Sequence, residues 1–598
     1  MSTLHDPTPS PSPITPHPSR ITGQLLLLMA LSGLLFFLGL GDMGLTDRDE
    51  GRNAEAGREM FQSGDRLTPT FNGELRVAKP VFLYWLMDQS YRLFGVSEFA
   101  ARFPSALFGV GLILITYLFL LHQRDRTVAL FGALMLLLNL EILGLGRMAL
   151  TDSVLIFFTT ASLYGFWLGL HGEGRMRHWI WTFYVGMALA TLTKGPVGFA
   201  VPLIAAALYL TWTRRWQDYW HNGFTWRACW CLLSWLLLGM RPCSSSMAMP
   251  MPQAPKPIRS ADFSVRWKAI MGPSSSISRS CSWAFSLGAR SFLSRSITHS
   301  KTGERREARG ERTQYIRPLA PRPSSLLELE LFAAIWVVGV FLFFTASSTR
   351  LPHYIGPLFP AAALLAASYW SRCLQDPTTK GIRGSIHLMM GLGYLLAIAF
   401  ACVPTLYANY ASKMVREFPL AGQVGLGIGP YVAATLLLFG MGLVGYLGLN
   451  EERRGGAFWA AGATLAGLVL TVIVIATPTI NRFVIAPPQE LAYAAGLNLD
   501  PQDLFIAYGT VRPSSVFYAR RPTVFVPFGE EDKIREALKG PKKVMILLPE
   551  TAQAKLPAEA VTLVPILKRY GYILLAKQPM VTIPEGAAPP PPPTVFGH

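Results

Sequence analysis

Charged residues are scarce in this sequence. Only 15% of the 598 residues are charged, against about 25% in an average soluble protein, while 51% are hydrophobic. The apolar residues form many runs that are long enough to cross a hydrocarbon layer about 30 Å thick as helices. An ordinary soluble enzyme is therefore excluded. A single signal peptide or membrane anchor is excluded as well, because the runs are too numerous.

The cysteines have neither the spacing of zinc ligands nor that of a disulfide framework. The six are Cys229, Cys231, Cys243, Cys281, Cys373 and Cys402. Four of them lie in apolar runs, where we interpret them as small apolar side chains. The sequence therefore does not indicate a structural metal or a disulfide-stabilised domain.

The net charge of +18 does not indicate a nucleic-acid partner, because of where the charges lie. Between Arg241 and Ser325 there are 15 basic and 4 acidic residues. Much of the remaining positive charge lies in short connections such as His122–Arg126 and Gly172–His178. Basic connections mark the cytoplasmic side of a membrane protein. This rule places the N-terminus in the cytoplasm, and the 42–104 stretch and the C-terminal domain on the other side.

We predict an all-α polytopic membrane bundle, with about 12 visible spans and 13 expected, and a small C-terminal extracytoplasmic α/β domain. Strand-like runs begin at Asp503, Thr523, Lys543 and Gly571. The predicted organisation is a disordered cytoplasmic tail (1–20), an N-terminal membrane half (21–240) with a juxtamembrane first loop (42–104), an anomalous Ser/Arg/Pro-rich segment (241–325), C-terminal membrane helices (326–480), a periplasmic α/β domain (481–580) and a Pro-rich tail (581–598).

The 241–325 segment does not match its surroundings. It has no helical or strand periodicity, and a long disordered loop is the simplest interpretation. However, the spans before and after it both have to run outward, so one inward crossing is missing. When Lys268–Arg290 is read in a shifted frame, codon degeneracy permits an apolar stretch of helical length at this place. We hypothesise that a frameshift and a second, restoring frameshift lie within the segment.

Several candidate functional residues lie on the extracytoplasmic side. Asp49 directly follows the first span, where a carboxylate can face a cavity at the membrane edge. Asp152 opens a later span, where a helix-capping role is an equally good interpretation. Lys79 and Lys194 are either snorkelling side chains or members of a site. Cations on this face suit a phosphate, and a carboxylate suits a general base.

The charged residues after Asp49 predict an amphipathic helix. Glu55, Arg58 and Glu59 recur at helical spacing. We expect them to form a solvated face on a helix that lies along the membrane surface.

Six short segments, taken in order, make the sequence recognisable. They are D-E-G-R-N-A-E at Asp49–Glu55, Q-S-G-D at Gln62–Asp65, A-K-P at Ala78–Pro80, L-T-D at Leu150–Asp152, T-K-G at Thr193–Gly195 and R-L-P-H-Y-I-G-P-L-F-P at Arg350–Pro360. In these the chain resembles the C-type, polyprenyl-phosphate-sugar-dependent glycosyltransferases of the protein O-mannosyltransferase-like superfamily. It is most similar to the group that transfers 4-amino-4-deoxy-L-arabinose to lipid A.

The resemblance implies a function and a set of site residues. The protein would be a multi-pass enzyme of the bacterial inner membrane that takes a sugar from undecaprenyl phosphate and passes it to a lipid or protein acceptor at the periplasmic face. The implied catalytic residues are Asp49, Asp152 and Glu50. The implied substrate- and phosphate-binding residues are Lys79, Arg52, Lys194, Arg350, His353 and Tyr354.

The sequence departs from the family at two places in the first loop. Ala78 stands where the family has a Glu that contributes to a metal site, which argues against a divalent metal here and leaves no cofactor assigned. Asn53 stands where the family has a Tyr. Neither the sugar nor the acceptor can be read from the sequence.

Two other interpretations remain open. A transporter or flippase of lipid-linked sugars would carry charges in the middle of its spans, whereas the ionisable groups here gather at one edge, apart from Glu141 near the outer end of its span. An inactive product of a frameshifted transferase gene would also keep an intact first loop.

Resequencing the gene across codons 240–325 and translating all three frames tests the frameshift hypothesis. We expect a shifted frame to encode an apolar helix containing G-P-x-x-x-Y-x-P. If no other frame encodes such a helix, the hypothesis fails and the topology after Met240 has to be redrawn.

Overall fold

The computed structural model describes residues 18–172, 174–222, 323–347, 351–376, 378–414 and 424–577. Most of the anomalous segment, both terminal tails and Arg350 lie outside the described residues.

The N-terminal half contains a first helix, a structured first loop and a set of longer apolar helices. The first loop holds α2, a short antiparallel hairpin and α3. The elements are α1 (Pro18–Phe37), α2 (Asp49–Ser63), β1 (Thr70–Phe71), β2 (Glu74–Leu75), α3 (Phe82–Phe94), α4 (Glu98–Gln123), α5 (Arg126–Leu137), α6 (Leu140–Gly146), α7 (Thr151–His171), α8 (Ile180–Lys194), α9 (Pro196–Thr213) and α10 (Trp216–Asn222).

The later helices lead to the C-terminal domain. They are α11 (Pro323–Ala346), α12 (Phe359–Gln375), α13 (Ile382–Met414), α14 (Gly429–Leu449) and the 45-residue α15 (Arg454–Asn498). At 1.5 Å per residue, α15 is about 68 Å long, more than twice the thickness of a hydrocarbon core. One membrane span therefore takes up only part of α15, and the rest of the helix leads to the domain.

Seven of the described helices are long and apolar enough to cross a membrane. The number is eight if α5 and α6, which meet at a bend of 63°, form one broken span. Ile21–Phe37 is a shorter apolar helix. The multi-pass helical architecture is therefore confirmed, whereas the total of 12 or 13 spans stays a prediction.

The C-terminal domain contains a five-stranded sheet in the order β4-β3-β5-β7-β6. The strands β3, β4 and β5 are parallel, and β7 and β6 are antiparallel additions. The elements are β3 (Leu504–Tyr508), α16 (Ser514–Ala519), β4 (Thr523–Val526), α17 (Asp532–Lys539), β5 (Val544–Pro549), β6 (Val564–Arg569) and β7 (Tyr572–Ala576). All four strands expected from the sequence are present.

The strand that the sequence did not predict, β6, lies at the edge of the sheet. It is mostly exposed, contains Pro565 and has a register shift at Pro565/Leu567. A proline, a bulge and the charged residues Lys568 and Arg569 are the features that keep an edge strand from pairing with other chains. They also hide the alternating pattern by which a strand is recognised.

The charged face of α2 is buried, so the expectation of a solvated helix on the membrane surface was wrong. Glu55 and Arg58 form a two-bonded ion pair with each other and are almost completely enclosed. Glu59 accepts hydrogen bonds from the hydroxyl of Thr70 and the amide of Asn72 in the hairpin. The charged side chains of α2 are therefore paired with one another or hydrogen-bonded to the hairpin, and other parts of the chain cover them.

The C-terminal domain contacts this first loop directly. Asn72 and Thr523 exchange two hydrogen bonds, of 2.9 and 2.7 Å. The hydroxyl of Tyr518 accepts from the amide of Leu45 and donates to Glu98. These contacts join residues more than 400 positions apart in sequence.

One fully buried ion pair connects α2 with α4. Arg102 Nε lies 2.8 Å from Glu50 Oε1, and both side chains are at most 1% exposed. Arg102 also donates to the backbone oxygens of Leu40, Met43 and Gly44. Glu50 accepts from Thr46 and from the amide of Ala149, which precedes α7. One pair of side chains therefore fixes three segments of backbone.

Removing one member of this pair is expected to destabilise the protein strongly. Arg102→Met leaves the Glu50 carboxylate buried without its partner, which costs about 3–5 kcal/mol. Thermal unfolding in detergent measures the loss, with Arg535→Met in an exposed pair of the C-terminal domain as the matched control. An unfolding temperature for Arg102→Met equal to that of the control would contradict the assigned role.

Candidate active site

Asp49 and Lys79 form the first of two carboxylate–lysine pairs. Asp49 is the first residue of α2, where a negative charge is favourable beside the free amides of the first turn. Lys79 Nζ lies 3.0 Å from Asp49 Oδ2. The Asp49 side chain is 54% exposed and the Lys79 side chain 16% exposed. The carboxylate is therefore the member of the pair that a substrate can reach.

The surroundings keep Asp49 ionised. Partial burial raises the pKa of Asp49, but the ion pair with Lys79 and the nearby charges of Arg76 and Arg52 outweigh it. The pKa therefore lies below its ordinary value. Asp49 carries a negative charge at neutral pH, as a general base must.

Asp152 and Lys194 form the second pair, where two antiparallel helices meet. Asp152 lies in the first turn of α7, and Lys194 is the last residue of α8. Their Oδ1 and Nζ atoms are 2.6 Å apart. Each charge complements the dipole of its own helix. The pair is more enclosed than the first, since the Asp152 side chain is only 5% exposed.

Close packing of α7 against α8 brings these two charges together. Near the opposite end of the helix pair, a Cβ at Gly169 would lie 2.7 Å from the backbone nitrogen of Ile180. A larger residue there would have to push the helices apart. The glycine therefore allows α7 and α8 to approach closely at this end of the pair.

His353 and Tyr354 lie beside both pairs, in the short 3₁₀ segment Pro352–Leu358. Lys194 Nζ is 4.4 Å from the centre of the Tyr354 ring. Burial lowers the pKa of His353, and Lys194 and Lys79 lower it further, against the opposing effects of Asp152 and Asp49. All four charged groups thus act on one imidazole, which is neutral at pH 7.

The structure therefore brings together most of the residues named from the sequence. Asp49, Lys79, Asp152, Lys194, His353 and Tyr354 surround one region. Arg52 lies close enough to lower the pKa of Asp49. Glu50 is turned away into the Arg102 pair, with both carboxylate oxygens occupied.

Sequence reasoning missed a polar support behind Asp49. Arg76 donates to the hydroxyl of Tyr84 and to Asn53 Oδ1, at 2.9 and 3.1 Å. Asn53 in turn donates to the backbone oxygen of Ala149 at 3.0 Å. Asn53 therefore connects α2 to the segment before Asp152. The departure from the family's Tyr at Asn53 was the sequence signal for this position.

Glu141 lies at the break between α5 and α6 and not in the middle of a straight span. Asn139 caps this break by accepting from the amides of Glu141 and Ile142. Glu141 Oε1 is buried without a hydrogen-bond partner in the described part of the chain, and the carboxyl interacts electrostatically with Asp152.

The residues present do not fit a metal site well. Within the described ranges, no group of three or more His, Cys, Asp or Glu side chains is arranged to hold a metal ion. The methyl group of Ala78 offers no donor atom, and Asp49 and Asp152 are each already paired with a lysine.

The chain is similar to known proteins both in sequence and in fold. Residues 43–240 match the family model for dolichyl-phosphate-mannose-protein mannosyltransferase, PMT. This range contains Asp49, Lys79, Asp152 and Lys194. A crystal structure of ArnT from Cupriavidus metallidurans bound to undecaprenyl phosphate superposes with a TM-score of 0.68 at 22% identity. The superposition covers 95% of this chain and 100% of that one.

An undecaprenyl phosphate-alpha-4-amino-4-deoxy-L-arabinose arabinosyl transferase of Yersinia pestis is 27% identical over 74% of this chain and 75% of its own length. The chain is thus similar in sequence to this transferase and in fold to ArnT. The chain is also 37% identical to an uncharacterized protein of Aquifex aeolicus over 191 residues, which are 32% of this chain. The chain spans less than half the length of that relative, 43%.

Proposed function

We propose that the protein is an integral membrane glycosyltransferase that moves a sugar from an undecaprenyl-phosphate donor to a lipid acceptor similar to lipid A, or to a protein, at the periplasmic face of the bacterial inner membrane. The observation that carries the proposal is the pair of carboxylate–lysine contacts around His353. The relatives named above support the class of donor.

The two lysines are suited to hold the donor phosphate. Ammonium groups make strong charge-assisted hydrogen bonds to phosphate oxygens. In the structure each lysine is neutralised by its own carboxylate, so a phosphate would compete with those carboxylates. When the phosphate takes Lys79, Asp49 loses its partner and becomes more basic, so donor binding prepares the base.

The difference in exposure decides which carboxylate acts as the base. Asp49 is half exposed, whereas Asp152 is almost completely enclosed and lies 2.6 Å from Lys194. We assign Asp49 as the general base and Asp152 as a positioning residue that acts through Lys194.

The proposed reaction is a direct displacement at the anomeric carbon. Asp49 accepts the proton of the acceptor hydroxyl while the acceptor oxygen forms a bond to that carbon. The bond between the carbon and the donor phosphate oxygen breaks, and its electron pair leaves with undecaprenyl phosphate. Lys79 and Lys194 stabilise the charge that develops on this phosphate. Attack from the side opposite the phosphate inverts the anomeric centre.

The flippase alternative receives less support from the described helices. Their ionisable side chains lie mostly near helix ends, and Arg482 and Glu490 lie in the half of α15 that leads to the domain. Transfer by the purified chain decides between the proposed enzyme and an inactive gene product.

Asp49→Asn is expected to lower transfer by about 10²–10⁴-fold, which is the contribution typical of a general base. The purified full chain is assayed in lipid nanodiscs with undecaprenyl-phosphate sugars and a lipid A acceptor. Asp42→Asn, an exposed residue in the same loop, is the matched control and should retain activity. Unchanged transfer by Asp49→Asn would remove Asp49 as the base, and absence of transfer by the unmodified chain with any donor would overturn the proposed function.

A further inference from the structure

Arg48, the residue between Asp47 and Asp49, has a strained backbone. Its φ is 73° and its ψ is −110°. These angles are the mirror image of an ordinary extended conformation, which glycine adopts readily and other residues rarely do. The Arg48 side chain is exposed. Such strain persists only where the surrounding structure holds the backbone on both sides, and it is concentrated at functional sites.

The C-terminal domain holds the backbone before Arg48. Arg512 Nη1 donates to Asp47 Oδ2 at 2.8 Å. The hydroxyl and the amide of Ser514 donate to Asp47 Oδ1 at 2.5 and 3.3 Å. Arg512 is fixed in turn by the Tyr572 hydroxyl at 2.7 Å and lies over that ring. The Asp47 carboxylate therefore has partners from the loop after β3 and from the first residue of α16.

The contact lies at the part of the sheet where open α/β domains usually bind a ligand. Arg512 and Ser514 follow the carboxyl end of β3, which has the parallel strands β4 and β5 on its two sides. A crevice forms at such a switch point. In this protein the side chain of Asp47, from the first loop, binds beside this crevice.

Other contacts hold the backbone after Arg48. Asp49 is paired with Lys79, and Glu50 with Arg102. In addition, α2 and α16 approach so closely that a Cβ at Gly51 would lie 2.8 Å from the backbone nitrogen of Ser514. Asp47, before Arg48, is therefore bound to the C-terminal domain, whereas Asp49 and Glu50, after it, are bound to residues of the N-terminal half. Arg48 forms the turn between them.

We propose that the C-terminal domain positions the catalytic loop: the contact of Asp47 with Arg512 and Ser514 holds Arg48 in its left-handed conformation and thereby directs Asp49 toward Lys79. Asp47 and Arg512 are positioning residues that do not touch the substrate. The catalytic consequence rests on the function proposed above, whereas the structural consequence does not.

Arg512→Gln tests this inference. We expect kcat for transfer to fall by about 10- to 100-fold, because small displacements of a reacting group have effects of this size, while KM for the donor changes less than about threefold. Arg535→Gln, an exposed pair in the same domain, is the matched control and should behave as the unmodified chain.

A second substitution separates positioning from a general loss of structure. When Arg48→Gly is added to Arg512→Gln, kcat should be at least about fivefold higher than for Arg512→Gln alone, because glycine adopts the required backbone angles without the contact to Asp47. Arg48→Ala removes the same side chain but keeps the strain, and it should restore nothing. Equal effects of the Gly and Ala variants would overturn the proposal.

Hydrogen exchange of the amides in residues 44–52 gives a readout that does not depend on catalysis. Arg512→Gln should speed this exchange and Arg48→Gly should slow it again, since exchange reports local opening. Unchanged exchange in Arg512→Gln overturns the positioning role whatever the transfer assay shows. The expected exchange pattern in a chain without transfer activity supports the positioning role and contradicts the proposed function.

Discussion

The buried pair of Glu50 and Arg102 is the interaction on which the rest of the site depends. Two charges that are almost fully removed from water are tolerated only with good geometry and additional hydrogen bonds. Both are present, because the guanidinium also binds three carbonyl oxygens and the carboxylate also binds an amide before α7. The pair therefore fixes the start of α2 relative to α4 and α7. Asp49 lies at the start of α2 and Asp152 at the start of α7, so the pair also fixes the positions of these two carboxylates.

A site built in this way separates structural charges from functional ones by exposure. The neighbours Glu50 and Asp49 follow one another in sequence, yet the first is enclosed and the second is half exposed. The enclosed residue stabilises the fold, and the exposed residue is available to a substrate. Asp152 is nearly as enclosed as Glu50, which agrees with a role in holding Lys194.

Much of the fold and of the site could be predicted from the sequence, for identifiable reasons. Membrane sidedness requires that the start of α7 and the end of α8 lie on one face, so Asp152 and Lys194 were expected on the same side of the membrane. The pairing of Asp49 with Lys79 could not be deduced, since sidedness gives a face but no contact. The buried face of α2 was mispredicted because helical periodicity shows which residues share a face and does not show what covers it. Arg48 and the Asp47–Arg512 contact were not foreseen, because they depend on residues more than 400 positions away.

In the proposed mechanism the paired lysines, Lys79 and Lys194, form the binding site for a lipid-linked phosphate. Binding of undecaprenyl phosphate to the purified full chain, measured by titration in nanodiscs, tests this most directly. We predict that Lys79→Met weakens binding about tenfold or more, as loss of a charge-assisted hydrogen bond does, while Lys380→Met in the connection before α13 leaves it unchanged. Equal affinities for the Lys79→Met variant and the unmodified chain would contradict the proposed phosphate-binding role of Lys79.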